Sequence, residues 1–264
     1  MKKLANVSSK QFIMIREVDD AEHSFILPHL ENLSQFEKHI DRLNDVYLEL
    51  EEINNSVTHS NKQTELLKHL KTFFFSFKTF HDHWETLLKR TFTVNSPQWL
   101  NFKSQKSYEY DNTFAYRFIY HLRNYVQHCG MPHIQLKANL NERDEPEYRL
   151  LLNVEQLLET YDWKPIIIND FKLLEGDLDL LHLLNNIKQP LANIQIKAIN
   201  CLNILSVLES AKAVLEYRKF KQDGFELAIF EYLEMHVSGS PKNTSMIIFP
   251  FGLAEHVIKN ITGV

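Results

Sequence analysis

The sequence predicts a mainly α protein: a helical bundle in the first half, then a small β-hairpin and further helices in the second. Three observations carry this. Apolar residues recur at spacings of three and four over several long stretches, the pattern of helices with one buried face. Glycine and proline are scarce, 6 and 8 in 264 residues, so turns are few and elements long. Clear two-residue alternation appears after Pro132, in short runs. With 18 Phe, 10 Tyr and a 44% hydrophobic fraction, the chain can build a substantial core.

Residues 1–27 are mixed. Gln11–Ile15 and Ser24–Leu27 read as short strands or packing arms around the acidic turn Glu17–Glu22. Pro28 to Asn54 reads as a long helix with Leu30, Leu33, Phe36, Ile40 and Leu43 on one face; its His29 and His39 have no partner in the pattern and are expected at the surface. Lys62 to Phe92 is a second long helix. Phe74 and Phe75 widen its stripe, so burial on more than one side is expected. His81-Asp82-His83 sits within it, but residues two apart on a helix point about 200° apart, so a structural role is expected over a shared metal. Ser96-Pro97 starts a short helix with serine as cap and proline at the first position; it runs to about Lys106, with a linker from Ser107 to Tyr110.

Asp111 to Pro132 reads as one helix, capped by Asp111 or Asn112 and stopped by Gly130 and Pro132. After Pro132 the texture changes. His133–Asn139 and Tyr148–Leu152 alternate around the charged turn Asn141–Glu147, which predicts a hairpin. Asn153 caps a short helix to Tyr161. Pro165–Asp170 is an extended run or helix entry, and Phe171–Lys188 a helix bent near Gly176. Pro190 opens a helix to about Lys219, Lys221–Gly224 turns, and Phe225–Val237 reads as helix. A loop at 238–241, a strand at Met246–Phe249 and a last helix at Gly252–Ile261 complete the chain. The change of texture divides residues 1–132 from 133–264, two regions that can also pack as one domain.

Composition narrows the function classes. Two cysteines, Cys129 and Cys201, give neither a disulfide framework nor a metal cluster and fit a reducing cytoplasm. The N-terminal stretch lacks a signal-peptide apolar region, and no run of 18 apolar residues suggests a membrane span. The net charge of −5 does not mark a nucleic-acid binder by itself. Its distribution is uneven: Gln98–Lys137 carries five Lys and Arg against two Asp and Glu, whereas Asn139–Asp179 carries four against eleven. The 111–132 helix lies in the basic stretch.

That helix has two faces. Phe114, Phe118, Leu122, Tyr125 and Cys129 form the apolar one; Arg117, His121, Asn124 and His128 form the other. A solvated helix face is usually Glu, Lys and Gln, whereas this one carries groups that donate hydrogen bonds or move protons near neutral pH. Two bland readings stand beside a catalytic one. A histidine near a helix C-terminus is favoured by the helix dipole alone, and an arginine one turn earlier can simply pair with a carboxylate.

Arg123-Asn124-Tyr125-Val126-Gln127-His128 is an R-polar-x-x-x-H hexad, and the wider string LRNYVQH-x-G-x-P runs from Leu122 to Pro132. It resembles the signature of the HEPN superfamily (higher eukaryotes and prokaryotes nucleotide-binding domains), in the form seen in a group of bacterial members. The likeness covers about the first half of the chain, with this helix as its sharp motif. It implies a small helical bundle and a metal-independent endoribonuclease of the toxin or anti-phage defence type. Such an enzyme uses no cofactor, acts on RNA, and builds its site across a homodimer. An antitoxin or regulatory protein often restrains such enzymes. In this reading His128 is the general acid/base, Arg123 binds phosphate and transition state, and Asn124 supports them. Arg117 and His121, one to two turns earlier on the Asn124/His128 face, are expected to bind substrate in the same cleft. The alternative is a catalytically silent bundle that binds nucleotides or a protein partner.

Overall fold

The protein is described here from a computed structural model covering residues 2–58, 63–174, 176–235 and 241–262. The chain is mainly α, with two small antiparallel sheets. Packing divides it into two compact units, His39–Leu202 and Met1–Lys38 with Asn203–Val264, so the expected boundary at residue 132 falls inside the larger unit.

The larger unit takes the second half of helix α1 (Asp20–Val57), then α2 (Gln63–Thr91), α3 (Pro97–Asn112) and α4 (Phe114–Cys129). Its core is largely aromatic: Phe73, Phe77, Phe80 and Trp84 of α2 meet Phe102 of α3 and Phe118 and Leu122 of α4. Each such side chain, fully withdrawn from water, contributes about 2 kcal/mol. Phe74 is buried as expected, but Phe75 is 72% exposed, so α2 is not buried all round. Ser96 caps α3, its Oγ accepting from Trp99 N at 3.2 Å. That helix continues six residues past Lys106, so the expected linker and the expected caps Asp111 and Asn112 are its last turn instead. Thr113 alone separates α3 from α4.

The hairpin forms as predicted: β3 (Ile134–Leu140) pairs with β4 (Pro146–Leu152), and β4 pairs with β5 (Leu178–Asp179). Leu150 and Leu152 point into the core while β3 faces outward. Short helices follow: α5 (Val154–Thr160), capped by the Asn153 side chain accepting from Gln156 N at 2.8 Å, α6 (Pro165–Lys172) and α7 (Leu180–Asn186). The helix expected from Pro190 to Lys219 is two, α8 (Lys188–Cys201) and α9 (Ile204–Leu215), followed by a 3-10 turn, Glu216–Phe220. His39, expected at the surface, is half-buried with its ring 5.5 Å from that of Trp84.

The smaller unit is built on a four-stranded antiparallel sheet in the order β2-β1-β6-β7, from β1 (Lys2–Val7), β2 (Phe12–Glu17), β6 (Glu226–Met235) and β7 (Pro241–Ile248). Here the sequence misleads twice. Ser24–Leu27 lies in α1, which Asp19 starts by accepting Glu22 N at 2.8 Å on its side chain, and the helix runs through Pro28. Within Phe225–Val237, expected helical, Glu226–Met235 is instead the interior strand β6, residues 236 and 237 lying outside the described residues: Leu227, Ala228 and Ile229 are buried in succession between two neighbours, and such a continuous apolar run does not declare its period. Buried Asn6 ties β1 to the turn that precedes β6, its Nδ2 donating to Phe220 O and its Oδ1 accepting from Gln222 N, both at 3.1 Å. His29, also expected at the surface, is half-buried and hydrogen bonds to Ser210 Oγ at 3.1 Å. Helix α10 (Phe251–Thr262) packs on α9. Of the loop expected at 238–241, all but Pro241 lies outside the described residues.

Candidate functional site

Helix α4 carries every residue the sequence nominates. Its inward face is held by stacking: Trp163 lies parallel to both Phe118 and Tyr125, with centroids 6.0 and 5.7 Å away. The Trp163 indole donates to Leu157 O at 2.7 Å, and Tyr125 Oη pairs with Thr160 Oγ1 at 3.1 Å. The helix ends at Gly130, where φ is +85° and its N–H donates to Val126 O at 3.1 Å. Glycine tolerates this backbone; a side chain does not.

The nominated residues separate into two groups. Arg117 is buried and fully engaged. Its Nε and Nη2 grip both Asp170 carboxylate oxygens at 2.8 and 2.9 Å, and its Nη1 donates to the carbonyls of Tyr110 and Asp111 at 2.6 and 3.1 Å. The substrate role expected for it gives way to a structural one, because a buried guanidinium must be paired and all three of its nitrogens are spoken for. His121 is also buried, and its Nε2 lies 2.6 Å from Tyr110 Oη. Burial lowers the imidazole pKa, helped by the charges of Lys164 and Arg117, while burial raises that of Tyr110. At neutral pH the phenol therefore donates to a neutral imidazole. His121 lines a pocket between α2, α3 and α4 that none of Arg123, Asn124 and His128 reaches. The single cleft expected for all five residues is thus not formed within one chain.

The second group sits at the open end of α4. Arg123 and Asn124 are half-buried and His128 is exposed. Arg123 Nη1 donates to Asn124 Oδ1 at 3.1 Å and to Gln127 Oε1. No carboxylate pairs with Arg123 among the described residues, so its charge is braced by neutral amides and left uncompensated. His128 makes no hydrogen bond or ion pair among them. Because α4 is continuous from Phe114 to Cys129, Arg123 and His128, five residues apart, project about 140° from one another.

The His81-Asp82-His83 triplet takes structural roles. His81 is buried against Phe77, Phe80 and Tyr116, with Nε2 3.3 Å from Tyr116 Oη, while His83 Nδ1 accepts from Arg42 Nε at 3.1 Å and Asp82 pairs with Lys78. Among the described residues, no group of three His, Cys, Asp or Glu is placed to hold a metal ion, and no single helix is long and apolar enough to cross a membrane.

Sequence reasoning missed Asp170, Gln127 and Tyr110. Asp170 had a signal of its own, a lone acid closing the apolar run Pro165–Ile168, and Gln127 lies one turn after Arg123. Tyr110 had none, since its partner is set by how α3 and α4 pack. No family model, no curated protein and no solved structure matches the chain.

Proposed function

We propose that the protein is a metal-independent endoribonuclease whose site is the open end of α4. The observation that carries this reading is Arg123, an arginine held in place by two amide oxygens with no carboxylate partner among the described residues. On the same helix, the buried Arg117 is by contrast paired with Asp170. A guanidinium kept rigid yet uncompensated is suited to a phosphate, whose oxygens match its fork.

The reaction needs few parts. The ribose 2′-OH attacks the adjacent phosphorus and loses its proton; the 5′-oxygen of the next nucleotide leaves and gains one. The products are a 2′,3′-cyclic phosphate and a 5′-OH. An imidazole can accept or donate a proton, and His128 is accessible and makes no hydrogen bond or ion pair among the described residues. Arg123 then neutralises the pentavalent phosphorane, and Asn124 keeps the guanidinium in place. One helix supplies one imidazole, and its Arg and His diverge. A two-fold homodimer supplies two of each around one cleft, so one imidazole is the base and the other the acid. RNA is the substrate, and the resemblance of the 122–132 string to bacterial HEPN proteins places the activity in growth arrest or phage defence, under an antitoxin or a regulatory protein.

The test is cleavage of total RNA and tRNA in EDTA by wild type, Arg123→Ala and His128→Ala, with the new ends mapped. Cyclic-phosphate ends that vanish in both variants are expected. Full activity in either variant, or no cleavage by the wild type, overturns the reading.

A further inference from the structure

The pocket that His121 lines is a second concave site, an open cleft of about 570 Å³ lined by α2, α3 and α4 of the larger unit. Its rim is cationic. Lys89, Lys103 and Lys106 surround it against Glu85 and Asp111. Glu85 is hydrogen-bonded to both Lys89, at 3.1 Å, and Lys106, so one carboxylate serves two ammonium groups. Burial raises the Glu85 carboxyl pKa, but those two lysines more than offset it and hold the group ionised. Lys103 is exposed and has no hydrogen bond or ion pair among the described residues. The lysines are not a floppy solvated row. Lys89 Nζ lies 4.9 Å over the Trp99 ring and Lys106 Nζ 5.9 Å from that of Phe102, contacts that fix where the charges stand.

The inner wall has a different character. Tyr110, Tyr120 and His121 meet edge to face, with centroids 5.8–6.2 Å apart, and form a flat-sided aromatic lining. Tyr110 spends its proton on His121, while the Tyr120 hydroxyl has no hydrogen-bond partner among the described residues. An ammonium cluster at the mouth and an aromatic wall behind it ask for one kind of ligand: an anionic head on a planar ring.

We propose that this pocket binds an organic phosphate, its phosphate held by Lys103, Lys106 and Lys89 and its ring packed against Tyr110 and Tyr120. The site uses none of Arg123, Asn124 and His128, so the inference stands or falls apart from the ribonuclease reading. Binding has a definite electrostatic consequence. The incoming phosphate competes with Glu85 for the two lysines that Glu85 occupies, so removing the Glu85 charge strengthens binding, whereas a salt bridge that only supports the fold would show no such gain.

The experiment is calorimetric titration of the full-length protein with inorganic phosphate, phenyl phosphate and adenosine 5′-monophosphate. At least one of the two ring-bearing phosphates is expected to bind about tenfold or more tightly than inorganic phosphate. If adenosine 5′-monophosphate is the tighter, the source is a nucleotide; if phenyl phosphate matches it, a simple aryl phosphate suffices. Lys103→Ala, an exposed substitution that spares the fold, is expected to weaken that binding several-fold, and Glu85→Gln to strengthen it. His128→Ala is expected to leave it unchanged. Absence of binding by all three probes, equal affinity in Lys103→Ala, or weaker binding in a folded Glu85→Gln overturns the proposal.

Discussion

Arg117 and Asp170, 53 residues apart in sequence, close a two-pronged ion pair at 2.8 and 2.9 Å that fastens α6 to the start of α4. The two remaining bonds of Arg117, to the carbonyls of Tyr110 and Asp111, satisfy the end of α3, so one side chain secures three helices. Asp170→Ala removes the anion and strands a buried guanidinium, an expected loss of about 3–5 kcal/mol in urea unfolding. Replacing both partners with apolar residues, Arg117→Met with Asp170→Leu, costs less than Asp170→Ala alone. A double variant at least as unstable as the single one would refute this account.

The contrast with Arg123 yields a prediction on activity. Gln127→Glu puts a carboxylate where a neutral oxygen now braces Arg123, one helical turn away. The guanidinium becomes compensated, and RNA cleavage is expected to fall by about ten- to a hundredfold while the melting temperature holds or rises. Unchanged cleavage would mean that the free charge of Arg123 has no part in the reaction.

His81 predicts how stability depends on pH. Burial, with the charges of Lys106 and Lys78, holds its pKa well below the ordinary value, so the folded protein keeps it neutral. The unfolded chain takes up a proton near pH 6.5. Stability from this residue is therefore complete above about pH 6.5 and is lost as the pH falls below it, by about 1.4 kcal/mol per unit at most. Urea unfolding between about pH 7 and 5 should show this slope. His81→Gln, which keeps an acceptor for Tyr116, should flatten it; an identical slope in the variant would assign the effect elsewhere.

Gly130 sets where the motif helix stops. With φ at +85° and ψ at −178°, its backbone lies in a region that side chains avoid. A Cβ there meets no neighbouring atom within 4 Å, so the cost of Gly130→Ala is conformational, about 1–3 kcal/mol, and not a clash. Thermal unfolding measures it, and an unchanged melting temperature would show that the helix end relaxes without penalty.

What the sequence made legible was local. The α2 stripe and the α4 faces depend on spacing along one helix, and the caps at Ser96 and Asn153 on four consecutive residues. The hairpin announced itself by alternation over His133–Asn139 and, more weakly, over Tyr148–Leu152. What stayed hidden depended on partners far along the chain. The strand β6 looked helical because a central strand between two neighbours loses its polar face. Arg117 and Arg123 stand six residues apart with the same chemistry, and only packing assigns a carboxylate to the first and none to the second. Lys103 and Lys106 lie on the predicted short helix with nothing along it to single them out until Lys89 and Glu85 arrive from α2.

The sheet of the smaller unit carries a consequence for biosynthesis. Leu4 of β1 lies opposite Ile229 of β6, so the β1–β2 hairpin cannot find its partner until more than 220 residues beyond Leu4 have left the ribosome. During that wait β1 exposes a bare edge with Leu4 and Ala5, side chains destined for full burial. The larger unit has all its strands and helices in hand by Leu202, before β6 is translated. The aromatic core of that unit can therefore close while β1 still waits for β6.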